Sequence, residues 1–147
     1  MLFRSLWHTM PSVATDLVDT LSIVVFAGMA LWLVFVRIFD SCALRSVVFV
    51  AVAASAFVLE QLPFVNGSLV YIFLLLLLCI TAGYFFFHKK SLWRPLAWAC
   101  LFFGVAIIFR SIDITLCHHI AVGTHFLWHT CVACVAAFIV LSLKPNA

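Results

Sequence analysis

Long apolar stretches separated by short polar connections run through almost the whole chain. Five of these stretches have about 17 to 22 residues, which is long enough for an α-helix to cross a hydrocarbon layer of about 30 Å. Their predicted bounds are Leu17–Val36, Ala43–Leu62, Leu69–Phe87, Trp93–Phe109 and Val122–Leu143. The pattern predicts an all-α fold, a polytopic bundle of transmembrane helices with five full spans.

The composition is typical of an integral membrane protein. Of the 147 residues, 67% are hydrophobic and only 9% are charged, which is too apolar for a soluble domain. The apolar stretches follow one another so closely that residues 1–147 are expected to form a single membrane-embedded domain. The net charge of +3 comes from basic residues scattered between the stretches. That distribution is unlike a nucleic-acid-binding surface, so no nucleic-acid partner is expected.

The basic residues alternate between connections, which predicts the orientation of the chain. Six of them lie in the first connection, in the third and at the C-terminus: Arg37, Arg45, Lys89, Lys90, Arg94 and Lys144. The remaining two connections hold only Arg110. Because cytoplasmic connections carry the excess of Lys and Arg, the C-terminus is predicted to be cytoplasmic.

The N-terminal end has a length that does not fit this topology. Residues 1–8 should reach the non-cytoplasmic side, yet they are too few to cross a bilayer. We expect Phe3, Leu6 and Trp7 to be the last turns of a span whose front is missing, in a shortened form or in a bundle completed by a second copy as a homo-oligomer. The alternative is a segment lying in the membrane interface. No cleavage pattern of a signal peptide precedes the first long apolar stretch.

Two histidines in the last apolar stretch are the first candidates for chemistry. His125 and His129 are four residues apart. On a helix this spacing is a rotation of about 40°, so both imidazoles can reach one ion from the same side. An ionisable pair within an apolar helix is costly, and it indicates a functional site.

Two further polar residues are predicted to lie at the same membrane depth as this pair. His8 ends the N-terminal segment and Asp19 lies near the start of the first full span. Three imidazoles and a carboxylate at one level match a catalytic zinc site, in which three protein ligands leave a fourth position for water. Asp19 would either accept a proton from that water or orient a ligand histidine.

Both ends of the chain resemble one protein family. The segment Arg-Ser-Ile-Asp-Ile-Thr-Leu-Cys at 110–117, followed by Gly-Thr-His-Phe-Leu-Trp-His at 123–129, is similar to the end of the alkaline ceramidase family. Ser-Leu-Trp-His at 5–8, with Asp19 eleven residues after His8, resembles the family's front segment. The family belongs to a superfamily of seven-span membrane hydrolases and receptors that includes the adiponectin and progestin receptors.

The resemblance implies a function and a set of roles. It implies a Zn²⁺ ion held by His8, His125 and His129, with Asp19 assisting water and Ser5 as the family's serine. The substrate would be ceramide or another N-acyl lipid, cleaved at its amide bond. One detail departs from the family, whose serine usually stands four residues before its histidine. Ser5 stands three before His8, and a shift of one residue turns a helical side chain by about 100°.

Two other functions remain open from the sequence. The first is a non-catalytic relic or receptor-like protein that keeps zinc for stability. The second is a haem-binding electron carrier, in which His125 and His129 would crowd one side of a porphyrin.

The remaining polar residues have structural interpretations. Arg110 and Asp113 are three apart and could pair across one helical turn. Glu60 is expected to reach the membrane interface. The segment Asn66-Gly67-Ser68 is a predicted tight turn. Four cysteines within apolar stretches are expected to be small buried hydrophobic residues: Cys79, Cys100, Cys131 and Cys134.

Overall fold

A computed structural model describes residues 13–62, 68–88, 91–116 and 124–143, with the side chains of 13–22, 60, 114–116 and 125 left undescribed. These ranges contain five α-helices: α1 Val13–Ile38, α2 Cys42–Glu60, α3 Leu69–Phe87, α4 Trp93–Leu116 and α5 His125–Leu143. No strand occurs in these ranges. The all-α class predicted from the sequence is therefore confirmed.

Four helices in the described part of the chain are long and apolar enough to cross a membrane. Their candidate spans are Cys42–Leu59, Leu69–Phe87, Trp93–Asp113 and Phe126–Leu143, and α1 contributes a shorter apolar stretch, Ile23–Ile38. Large apolar side chains lie on the outside of these helices, for example Phe57 at 66% and Phe87 at 79% exposure. Such exposure is favourable in hydrocarbon and unfavourable in water. The chain is an integral multi-pass membrane protein.

The end of α4 differs from the prediction. The expected span ended at Phe109, where the charged residues begin, but the helix continues for about two more turns to Leu116. No glycine or proline interrupts the chain there, and Ser111 donates from Oγ to the carbonyl oxygen of Ile107 at 2.8 Å. Arg110 and Asp113 therefore belong to a helix and not to a connection. The expected start of the last span, Val122, lies outside the described residues, within which α5 begins at His125.

The chain divides into two compact units, Met1–Phe49 and Val50–Ala147. In the first, α1 and the start of α2 meet through aromatic contacts. The rings of Trp32 and Phe49 pack edge to face with centroids 5.6 Å apart, and the Arg45 guanidinium lies 6.0 Å from the Trp32 centroid. A Cβ at Gly28 would lie 3.7 Å from Phe49 Cζ, so the missing side chain gives the two helices room to approach.

In the second unit, α4 packs against both α3 and α5. Ala99 and Ala106 of α4 are fully buried, and such small residues let transmembrane helices approach closely. The centre is formed by Ala106, Ile107, Trp128 and Cys131. All the cysteines within the described ranges are free thiols; Cys131 is buried as expected, whereas Cys79 is exposed on the surface of α3.

Candidate functional site at the start of the last helix

Thr124 marks the beginning of α5. Its carbonyl oxygen accepts the first backbone bonds of the helix, from the N–H groups of Leu127 at 2.9 Å and Trp128 at 3.4 Å. Thr124 is only 7% exposed, although it lies at a helix end, where backbone groups usually depend on water or on capping partners. The position of this residue therefore decides where the histidine-bearing turns of α5 lie.

Asp113 of α4 holds Thr124 in place. The backbone N–H of Thr124 donates to Asp113 Oδ1 at 2.6 Å, and the Thr124 hydroxyl donates to the carbonyl oxygen of Phe109 at 2.9 Å. The same hydroxyl is 3.2 Å from Asp113 Oδ1, so its hydrogen has two acceptors on α4. Hydrogen bonds to a carboxylate are stronger than those between neutral groups, and a negative charge is favourable at a helix N-terminus. We call these contacts the Asp113–Thr124 clamp.

The clamp fixes the turns of α5 that carry the histidine pair. His125 is the first residue of the helix and His129 follows one turn later, half-buried. Relative to the buried Trp128, the two positions lie about 60° and 100° around the helix on the same side. The pair therefore sits next to the packed face of α5 and has a backbone held by α4. A spacing of four residues on a helix allows two side chains to reach one ion.

The other predicted site residues cannot be placed to the same extent. Ser5 and His8 lie outside the described residues. Asp19 belongs to α1, and only its backbone is described. Among the described residues, no group of three or more His, Cys, Asp or Glu side chains could hold a metal ion. The zinc site drawn from the sequence, which depends on His8 and on the side chain of His125, stays a prediction.

Arg110 occupies a place that the sequence analysis missed. Its Cζ atom lies 4.6 Å from the centroid of the Tyr71 ring and 5.4 Å from that of Trp128. The two rings pack edge to face with centroids 5.0 Å apart. The residues come from α4, α3 and α5, so they form a cluster that joins all three helices. We call it the Arg110 cluster.

Both charged residues of this segment thus have structural partners on other helices. The sequence suggested that Arg110 and Asp113 could pair with each other across one turn. In the structure Asp113 contacts Thr124, and Arg110 contacts the aromatic rings. An arginine inside an apolar stretch is a signal of such a cluster, but its ring partners are 39 residues earlier and 18 residues later in the sequence. That separation cannot be read from local spacing.

No protein-family model, no curated protein and no solved structure matches this chain.

Proposed function

We propose that this protein is a zinc-dependent membrane hydrolase that cleaves the amide bond of ceramide or a similar N-acyl lipid. One observation carries the proposal: His125 and His129 lie one turn apart at the start of a candidate membrane-spanning helix, and the Asp113–Thr124 clamp fixes that start. The resemblance of residues 110–117 and 123–129 to the alkaline ceramidase family supports it.

The available donor atoms suit zinc. Imidazole nitrogens are common zinc ligands, and two from one helix with a third from another segment would leave one position open. His8 is the proposed third ligand. When bound, zinc would polarise a carbonyl oxygen and make water more acidic.

The protein's own residues would supply binding and proton transfer. The proposed role of Asp19 is to take a proton from the attacking water and to return it to the leaving amine. The products would be a fatty acid and an amine. Ser5 would provide a hydroxyl near the amide. The lipid-facing helices allow a two-tailed substrate to approach from the side, because its chains can remain in hydrocarbon throughout.

The first experiment tests metal binding and catalysis together. Purified protein should contain about one zinc per chain, and His129→Ala should lose most of it, because two ligands bind far more weakly than three. His88→Ala is the matched control, since His88 is an exposed histidine in contact with Tyr84 of its own helix. Release of fatty acid from ceramide should fall with the metal. Full zinc retention in both His125→Ala and His129→Ala would refute the site.

Asp19→Asn separates catalysis from metal binding. If Asp19 moves protons, the variant should keep its zinc while the rate falls by about 10²–10⁴. Loss of zinc would make Asp19 a ligand or a structural residue. A protein that holds zinc but releases fatty acid from no N-acyl lipid would instead be the non-catalytic zinc protein considered from the sequence.

We also propose that the C-terminus faces the cytoplasm, as the distribution of Lys and Arg indicates. Single cysteines introduced at Lys89 and at Asn66, on a background without the native cysteines, should react with an impermeant reagent from opposite sides of the membrane. Labelling of both from one side would show that the number of crossings between them is wrong.

A further inference from the structure

Among the described residues, three polar side-chain atoms at the same end of α3, α4 and α5 are buried and have no hydrogen-bond partner. They are Ser68 Oγ, Arg110 Nε and Trp128 Nε1. Ser68 is completely buried, and Trp128 is 1% exposed. Buried polar groups are nearly always paired, so an unpaired set indicates a missing partner.

The three atoms belong to one place in the fold. Arg110 and Trp128 are both members of the Arg110 cluster, with Cζ 5.4 Å from the centre of the indole that carries Nε1. Ser68 directly precedes α3 and lies one turn before Tyr71, the third member. The Tyr71 N–H donates to the Ser68 carbonyl oxygen at 3.1 Å.

The chemistry of the three atoms defines which kind of hydrogen-bond partner would suit them. The N–H groups of Arg110 and Trp128 can only donate, and the Ser68 hydroxyl can donate too. The faces of the two aromatic rings attract the guanidinium, but Arg110 Nε has no hydrogen-bond partner, so the Tyr71 hydroxyl does not serve as its acceptor. Asp113 is one turn further along α4 and directs Oδ1 to Thr124. A single partner for all three atoms would be an acceptor with several oxygens, and the guanidinium charge favours one that is negatively charged.

A phosphate group has these properties. Arginine forms paired hydrogen bonds with phosphate oxygens in the plane of its guanidinium. Arg110 also lies in the last turn of the candidate span Trp93–Asp113, and the ends of a membrane span lie near the lipid headgroups. An ionisable residue in a span is by default a functional residue.

We propose that Ser68, Arg110 and Trp128 form a binding site for the phosphate of an anionic phospholipid headgroup. The site is independent of the proposed hydrolase activity, because it needs neither zinc nor a scissile amide. Arg45 provides an internal contrast. Its Nε is also buried without a partner and its guanidinium lies over one ring, that of Trp32. Within the described part of the first unit, however, no second unpartnered buried side-chain atom accompanies it.

The test is native mass spectrometry of the full chain in a neutral detergent, with phosphatidylglycerol, phosphatidylcholine or inorganic phosphate added. We expect phosphatidylglycerol adducts that weaken about tenfold or more in Arg110→Gln, as expected for loss of a charged hydrogen-bonding partner. Arg94→Gln is the matched control, because Arg94 is on the same helix and also lies over a ring, that of Trp93 at 5.8 Å. It should bind like the unmodified protein.

Two further variants keep the test decisive if Arg110→Gln does not fold. Arg110→Lys keeps the charge but loses the planar guanidinium that can form paired hydrogen bonds. Ser68→Ala removes one buried donor. Each should weaken the adduct severalfold while far-UV circular dichroism stays unchanged. Binding of inorganic phosphate with the same dependence on Arg110 would identify a soluble phosphate as the source. Phosphatidylglycerol adducts that are equal in the unmodified protein and in the folded Arg110 and Ser68 variants would overturn the proposal.

Discussion

The polar contacts described at the two ends of the second unit, where α3, α4 and α5 pack, differ in how far along the chain they reach. The Asp113 end contains Ser68, Arg110 and the clamp. There, Thr124 bonds to Asp113 and Phe109, which are 11 and 15 residues away. The His88 end contains the opposite ends of α3 and α4. There the ring nitrogen Nδ1 of His88 contacts the carbonyl oxygen of Tyr84, four residues earlier.

The contacts described at the His88 end are local or aromatic. The ring of His88 lies 4.1 Å from that of Tyr84, and its backbone N–H donates to the carbonyl oxygens of the last turn of α3. Phe86 and Trp93 pack edge to face across the connection, with centroids 5.2 Å apart. These contacts end and begin helices, but the polar ones among them do not tie one helix to the next.

This difference indicates which end of the unit has the more fixed geometry. In hydrocarbon, helices gain little from burying apolar surface against each other, so packing and polar contacts between helices decide their arrangement. The polar contacts described between helices lie at the Asp113 end, which also carries the histidine pair. A site that must hold ligands within a fraction of an ångström benefits from rigid supporting elements.

The largest expected effect is that of Trp128→Ala. The indole is 1% exposed and contacts Tyr71, Phe103 and Arg110. We expect a loss of about 3 kcal/mol in the free energy of unfolding, the lower end for a buried aromatic, because part of the transfer energy is absent in lipid. Reversible unfolding in mixed micelles, followed by circular dichroism, measures it.

The control for this variant is Trp93→Ala at the His88 end. Trp93 is half-buried and packs on Phe86, so its truncation should cost clearly less. An equal loss in the two tryptophan variants would contradict the comparison of the two ends.

Asp113→Ala should have the second-largest effect. It leaves the buried N–H of Thr124 without an acceptor, and we expect a loss of about 1.5–3 kcal/mol, as for hydrogen bonds to a charged group. Asp113→Asn retains an oxygen and should lose about half as much. Hydrogen exchange should become faster for the first turns of α5. Unchanged exchange there in Asp113→Ala would show that the clamp does not hold the helix.

The sequence predicted the helices well because apolar length is a local property. The bounds of α3 agree with the expectation of Leu69–Phe87, and the class follows from the same pattern. The predicted end of α4 was wrong because the first charged residue after the apolar stretch was interpreted as the end of the helix. The long side chain of Arg110 reaches ring partners on α3 and α5, and the helix continues past it.

The candidate site was predictable only in part, for a related reason. The spacing of His125 and His129 is visible in the sequence, and their place on one side of α5 follows from helical geometry. The clamp was not foreseen, because Asp113 and Thr124 are separated by a connection whose path the sequence does not specify. The same holds for Ser68, which was treated as part of a tight turn and is completely buried.

A smaller effect is expected for Thr124→Val, which keeps the shape of the side chain. The backbone bond to Asp113 remains, but the hydroxyl bond to Phe109 is lost. The loss should be about 1 kcal/mol, the usual value for one neutral hydrogen bond. The double variant with Asp113→Ala should lose less than the sum of the two single effects, because both residues act in one clamp. Strict additivity would place them in separate interactions.

The smallest effect is expected for His88→Ala at the opposite end. His88 is exposed, and its ring contacts only Tyr84 of its own helix in the described contacts. The backbone N–H that closes the last turn of α3 is present in alanine as well. We expect a change of about 0.5 kcal/mol or less in the free energy of unfolding, as for most exposed positions. Thr130→Ala, which removes a local bond to the carbonyl oxygen of Phe126 at 3.0 Å on α5, should behave alike despite its place next to the histidine pair. If either variant were as destabilising as Asp113→Ala, local polar contacts would matter as much as contacts between helices, and the difference between the two ends would not explain their stability.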